Sequence, residues 1–119
     1  NLLNVKRIDH GVQCLHDKKL VEKLRKDKTP LTVCPLSNIK LRVFNKLNEH
    51  NLKKMLDEKL IVMVNSDDPA YFGGYLNKNL IEIQFALNLS IHDIKTLIVN
   101  SFKASFLTEE KKKKWILKI

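Results

Sequence analysis

Three short runs typical of strands constrain the fold of this chain. The first is mixed in composition and the other two are apolar, each ends in polar residues, and a segment with helical periodicity separates each from the next. The runs cover residues 5–10, 31–34 and 60–64. The third is continuously apolar, which is typical of a strand buried in a parallel sheet. Alternation of strands with helical segments predicts an α/β fold with parallel strands.

The helical segments are recognised by apolar residues spaced three or four positions apart. This spacing predicts helices over residues 16–26, 47–60 and 76–89. Ser90 begins a sequence with the spacing of a capping box, in which Asp93 takes the place of the usual Glu or Gln. It therefore predicts the start of another helix, and a last helix is expected after Thr108.

The chain is strongly basic, with 22 Lys and Arg residues against 13 Asp and Glu, a formal net charge of +9. Only Arg7, Arg25 and Arg42 are arginines, and the aromatic residues are not interleaved with the cations as in a single-strand stacking platform. We therefore expect no nucleic-acid partner. The run at residues 111–114 follows two glutamates at helical spacing, which predicts a solvated helix face.

The length and composition of the sequence indicate whether the chain is part of a larger protein and in which compartment we expect it. Three parallel strands form a narrow sheet with two open edges, and the 119 residues begin at Asn1, so we expect the last part of a larger α/β protein. No run approaches the roughly 20 apolar residues of a membrane span, and no signal peptide is evident. Cys14 and Cys34 have no close partner in sequence, which favours a reducing cytoplasm.

Polar residues follow each predicted strand, where ligands bind in parallel α/β folds. His10 precedes Gly11 after the first strand, and the pair Asp67 and Asp68 follows the third. The carboxyl ends of neighbouring strands lie at one edge of the sheet, so His10 and Asp67 are expected to converge. A histidine with carboxylates indicates a metal or acid–base site.

The adjacent carboxylates Asp67 and Asp68 have two interpretations. They repel each other, and a divalent metal would relieve the repulsion, with Pro69 holding Asp68 extended. Alternatively, they cap the following turn through their side-chain oxygens. A lone histidine such as His10 is more often structural than catalytic.

Other candidate residues are given structural interpretations. His16, His50 and His92 fall in or near predicted helices, and we expect all three at the surface. The pair at residues 73–74 is interpreted as a flexible turn at the mouth of the site, because it lacks the spacing of a phosphate-binding loop.

Three motifs carry a resemblance to a known family. Residues 7–11 (RIDHG), 32–38 (TVCPLSN) and 65–69 (NSDDP) occur in this order. Together they resemble the C-terminal part of the adenosine/AMP deaminase family, zinc hydrolases of the amidohydrolase superfamily built on a (β/α)₈ TIM barrel. The resemblance implies that residues 1–119 form a partial domain holding about strands 6–8. Residues 31–44 and 66–76 look closer to the adenine deaminase branch.

The resemblance also implies roles for individual residues. Asp67 would be a ligand of the single Zn²⁺, Asp68 would hydrogen-bond the purine substrate, and His10 would orient and stabilise the attacking hydroxide. The implied reaction is hydrolysis of adenine to hypoxanthine and ammonia, a step of purine salvage. Ser37 and Asn38 match a family motif near the pocket without an implied role.

The departures from the family pattern are also informative. The family's His-x-His pair, a further zinc-ligating His and the Glu that protonates the ring are absent from these residues. A catalytic zinc needs about three protein ligands, so we expect this chain alone to be inactive and to require the preceding part of the barrel. The alternatives are an adenosine deaminase, a basic α/β binding module and a barrel that has lost catalysis.

Overall fold

A parallel sheet organises the chain, as the alternating pattern predicts. The structure is a computed structural model that describes residues 3–119. All strand pairs are parallel, β2 lies in the centre, and Leu31 aligns with Ile8 on one side and Val62 on the other. The strands are β1 (Ile8–Asp9), β2 (Leu31–Val33) and β3 (Val62–Val64).

Helices connect the strands and continue beyond the third. In the described part of the chain, no helix has the length and apolar character of a membrane span. Two short 3₁₀ helices occur at Val12–His16 and Leu47–Glu49. The α-helices are α1 (Lys18–Asp27), α2 (Pro35–Lys40), α3 (Leu52–Asp57), α4 (Pro69–Phe72), α5 (Leu76–Leu87), α6 (Ile91–Lys103) and α7 (Glu109–Ile116).

Two of these helices were not expected from the sequence. Pro35 directly follows the predicted second strand and Pro69 is expected to hold Asp68 extended, yet each proline stands in the first turn of a helix, α2 and α4. Proline fits there because its missing N–H has no intrahelical partner and its φ is already helical. The strands are also shorter than predicted, and β1 begins only at Ile8, whose N–H donates to Pro30 O at 2.9 Å.

The apolar core lies between the sheet and the helices. Alternating strand residues point to one face, and Leu31, Val33 and Val62 there are fully buried. Each large apolar side chain removed from water contributes about 1.5–3 kcal/mol. Helix α6 packs on β3, where Asn100 Nδ2 donates to Val62 O at 2.9 Å. The opposite face carries Thr32, whose hydroxyl donates to Asp9 Oδ1 at 2.7 Å.

The turn after α4 is closely packed. Gly73 ends α4 with φ of 80°, a left-handed conformation that suits glycine. A Cβ at Gly74 would lie 2.6 Å from Leu36 Cδ1, so a larger residue there would require the Leu36 side chain to move. The fully buried Asn79 holds the turn, accepting from Leu36 N and donating to the carbonyls of Gly74 and Tyr75. These contacts attach the turn to α2 and replace the expected flexible turn with an anchored one.

The capping and charge predictions for the C-terminal helices are confirmed, with one difference. Ser90 and Asp93 form a complete capping box at the start of α6. The lysine run of α7 lies mostly on an exposed face. Glu109, however, binds Lys112 at 2.8 Å, three positions later, although the sequence spacing favours Lys113.

The open sheet and exposed apolar side chains predict self-association of this chain when it is expressed alone. Within residues 3–119, strands β1 and β3 each have one neighbour, and Val5, Phe85 and Phe106 are 54%, 81% and 76% exposed. Light scattering after size exclusion should therefore show oligomers or aggregates. Phe85→Ser with Phe106→Ser should reduce them, whereas Lys113→Ser should not. A monomer with a cooperative unfolding transition would contradict this expectation.

Candidate functional site

Residues at the ends of the three strands form a cluster of possible metal ligands. His10 follows β1, Cys34 follows β2 and Asp67 lies just beyond β3. One ligand atom from each lies within 4.8 Å of the other two, and His10 Nε2 is 3.6 Å from Asp67 Oδ2. The structure therefore brings His10 and Asp67 together, as expected from their positions after parallel strands.

Left-handed backbone conformations turn the chain sharply at both strand ends. His10 and Gly11 have φ of 59° and 71°, and Asp67 has φ of 57°. This region costs an L-residue about 1–2 kcal/mol. A Cβ at Gly11 would lie 2.9 Å from Leu31 Cδ2, so glycine lets the chain turn against the core.

Asp67 is fixed in place through both of its carboxylate oxygens. Oδ1 accepts from Asp68 N at 3.0 Å, and Oδ2 accepts from Ser37 Oγ at 2.8 Å. The Ser37 side chain is fully buried in α2. A carboxylate has about four acceptor positions, so each oxygen retains a lone pair for a cation. The sequence pattern gives Ser37 no role, whereas the structure shows that it orients Asp67.

Asp68 has the capping role given by the second interpretation of the carboxylate pair. Its backbone is extended, as Pro69 predicts, and its Oδ1 accepts from Tyr71 N at 3.0 Å at the start of α4. Within residues 3–119, no hydrogen bond occupies Oδ2. The side chain therefore caps the helix while one oxygen stays available to a ligand.

Cys34 is the third member of the cluster, and it is a neutral thiol. Burial, together with the nearby charge of Asp67, raises the pKa of its side chain to about 12. Its Sγ lies 3.6 Å from Thr32 O. Since the thiolate is the form that binds metals, the oxygens of Asp67 and the imidazole of His10 are the better donors.

His50 is buried, although the sequence predicts that it lies at the surface. It is only 3% exposed, and burial lowers the pKa of its imidazole to about 4. The ring packs on Phe44 at 4.5 Å between centroids, and its Nε2 lies 3.1 Å from Asn38 Oδ1. Asn38 Nδ2 in turn lies 3.4 Å from His10 Nδ1. The expected helix over 47–60 is interrupted at this point, which turns His50 inward.

The remaining histidines lie outside this group. His16 and His92 are exposed, as the sequence predicts. Neither belongs to the cluster at the strand ends.

A cavity of about 390 Å³ opens at this edge of the sheet. This volume is within the range of small-molecule sites. Its walls are mainly polar and carry the candidate metal ligands together with the buried hydroxyl of Thr32 and the amide of Asn65. They are formed by Asp9, His10, Thr32, Cys34, Asn65, Ser66, Asp67 and Leu76.

A second cavity, of about 520 Å³, has His10 and Asn38 in its wall. It is lined mostly by apolar residues such as Ile8, Leu20 and Leu24. Such a lining supplies few groups for acid–base or metal chemistry. The candidate active site is therefore the smaller, polar cavity.

The donor set fits zinc in part. Carboxylate oxygen and imidazole nitrogen are both common zinc ligands, and Asp67 and His10 present one of each at the same cavity. Catalytic zinc sites have about three protein ligands, so the cluster supplies part of such a site.

Comparisons with known proteins show the family of this chain. The sequence model of the family described as adenosine deaminase matches residues 1–119. The chain is 59% identical over 119 residues to an adenine deaminase of Chlorobium phaeobacteroides, covering 100% of this chain and 36% of the relative. It is 60% identical over 117 residues to an adenine deaminase of Crocosphaera subtropica, covering 98% and 36%.

Solved structures share the fold. The adenine deaminase of Arthrobacter aurescens superimposes with a TM-score of 0.95 at 45% identity, covering 98% of this chain and 36% of that one. An amidohydrolase from Burkholderia ambifaria with bound zinc gives a TM-score of 0.84 at 25% identity, covering 97% and 32%. The α/β fold thus matches part of the amidohydrolase barrel.

The chain spans 36% of the length of these curated relatives. The match to the family nevertheless extends over every residue of the sequence, and the relatives are more than half identical to it. This chain therefore belongs to the adenosine deaminase family.

Proposed function

We propose that this chain is part of a zinc-dependent adenine deaminase, which hydrolyses adenine to hypoxanthine and ammonia. The observation that carries the proposal is the convergence of His10 and Asp67 at the carboxyl ends of parallel strands, 3.6 Å apart at a polar cavity. Identity of 59% and 60% to two adenine deaminases supports adenine as the substrate.

Asp67 is the proposed zinc ligand of this segment. Ser37 and the Asp68 amide hold its carboxylate at the cavity and leave lone pairs available. Zinc, when bound, supplies the Lewis acid that makes water an effective nucleophile at neutral pH. The Burkholderia ambifaria amidohydrolase, which has bound zinc, supports this choice of metal.

His10 and Asp68 have complementary proposed roles. The imidazole of His10 lies beside Asp67 and orients the attacking water toward C6 of the purine. Asp68 keeps one carboxylate oxygen free of the helix cap, and this oxygen accepts a hydrogen bond from the purine ring. Water oxygen bonds to C6 and the C6–N bond breaks. One proton of the water goes to the departing amino group, which leaves as ammonia, and the other stays on the ring nitrogen next to C6 of hypoxanthine.

The rest of the barrel is the proposed partner of this segment. Residues 1–119 correspond in this proposal to strands 6–8 of eight, with the preceding βα units supplying the remaining zinc ligands and the general acid. These units would pair with the open sheet edge and cover the apolar cavity beside Ile8 and Leu24. The isolated segment is therefore inactive.

A chimera tests the proposed function. Residues 1–119 replace the matching 36% of the Chlorobium phaeobacteroides adenine deaminase. The purified, zinc-loaded chimera should release ammonia from adenine much faster than from adenosine, and the isolated segment should release none. Preference for adenosine, or turnover of adenine by the segment alone, would contradict the proposal.

Asp67→Asn in this chimera should remove zinc and activity together, because an amide is a poor zinc ligand. Loss of a residue that only hydrogen-bonds to a metal ligand costs about 10–100-fold in metal affinity or activity. Loss of the ligand itself should therefore reduce kcat by more than about 100-fold. Zinc content by atomic emission and kcat would be measured on the same samples. Asp9→Asn, in the same cavity wall, is the control and should retain zinc. Full zinc occupancy in Asp67→Asn would rule out the ligand role.

Asp68→Asn separates substrate binding from helix capping. Asparagine also caps helices, so α4 should persist, while the hydrogen bond to the purine loses its charge. A hydrogen bond to a charged group contributes about 1.5–3 kcal/mol, which predicts a loss of roughly 10–100-fold in kcat/KM for adenine. Asp68→Ala should lose activity and also thermal stability. An unchanged kcat/KM in Asp68→Asn would show that Asp68 caps α4 and does not bind the purine.

A further inference from the structure

A chain of hydrogen bonds connects the backbone of α3 to the candidate catalytic histidine. It runs from Leu52 N through His50 and Asn38 to His10. From it we infer that His50 is a positioning residue, which acts through Asn38 to fix the orientation of the His10 ring and to place the ring hydrogen on Nε2. The effect on catalysis rests on the proposed function, whereas the hydrogen-bond chain and the position of the His10 ring hydrogen do not.

The direction of the chain is set at its first hydrogen bond. Leu52 N can only donate, and it lies 3.1 Å from His50 Nδ1, so Nδ1 is the acceptor. The buried imidazole is neutral near pH 7, since its pKa is about 4. Its one ring hydrogen is therefore on Nε2 and is donated to Asn38 Oδ1 at 3.1 Å.

The second step fixes the amide of Asn38. Because its Oδ1 accepts from His50, its Nδ2 is the group that faces His10. An amide nitrogen donates and does not accept, so His10 Nδ1 is the acceptor across the 3.4 Å between them. Asn38 is 2% exposed and lies in α2, so the surrounding core holds this arrangement.

The third step gives the consequence at the site. With Nδ1 accepting, the neutral His10 ring carries its hydrogen on Nε2, the atom that lies 3.6 Å from Asp67 Oδ2. His10 then presents a hydrogen-bond donor to the cavity. A donor orients and stabilises an attacking oxygen, whereas an acceptor at that position would take its proton. His50 thus determines which role His10 has.

Three variants in the chimera test the kinetic consequence. Asn38→Asp keeps the shape of the side chain but offers only acceptors, so it should move the His10 hydrogen to Nδ1. We expect kcat to fall about 10–100-fold, the size of effect seen when a residue that supports an active-site group is lost, with KM nearly unchanged. His50→Phe should also lower kcat, whereas His50→Gln, which keeps a donor toward Asn38, should restore most of it.

Ring spectra provide a readout that does not depend on activity. In ¹⁵N-histidine-labelled, metal-free chimera, the His10 hydrogen should be on Nε2 in the parent and in His50→Gln, and on Nδ1 in Asn38→Asp. His16→Gln changes an exposed histidine and is the matched control, with kcat and spectra unchanged. A parent hydrogen on Nδ1, or an unchanged kcat in Asn38→Asp, would overturn the inference. An inactive parent would overturn the proposed function, and the spectra would still decide whether the hydrogen-bond chain is correct.

Discussion

Parallel pairing on both sides of β2 is the constraint on which the rest of this structure depends. His10 N donates to Thr32 O at 2.9 Å, and Asn65 N donates to Val33 O at 2.8 Å. These two bonds bring the ends of β1 and β3 to the same edge of the sheet as Cys34. The left-handed turns at His10 and Asp67 then direct two distant side chains into one cavity. The candidate metal site is thus a product of strand register.

The features that could be predicted from sequence are those with a local physical cause. The apolar run of β3 requires burial on both faces, and the capping box at Ser90 satisfies the first amides of α6 by itself. Gly11 allows the sharp turn after His10. The convergence of His10 and Asp67 could also be predicted from the sequence, because the carboxyl ends of parallel strands lie at the same edge of a sheet.

The features that could not be predicted depend on tertiary contacts. Proline alone does not show whether it ends a strand or begins a helix, and Pro35 does both. His50 resembles a surface residue in sequence, and only packing against Phe44 and Asn38 makes it a buried, neutral ring. The support that Ser37 gives Asp67 spans 30 positions, and no local pattern indicates it.

The central proposal is that Asp67 is a zinc ligand at the strand ends, with His10 beside the metal as the residue that orients water. The most direct test is an anomalous difference map at the zinc absorption edge from crystals of the zinc-loaded chimera. We expect one peak about 2.0–2.2 Å from an Asp67 carboxylate oxygen, in the cavity beside His10 Nε2. A peak bonded to Cys34 Sγ instead, or no peak near Asp67 at full zinc loading, would contradict the proposal.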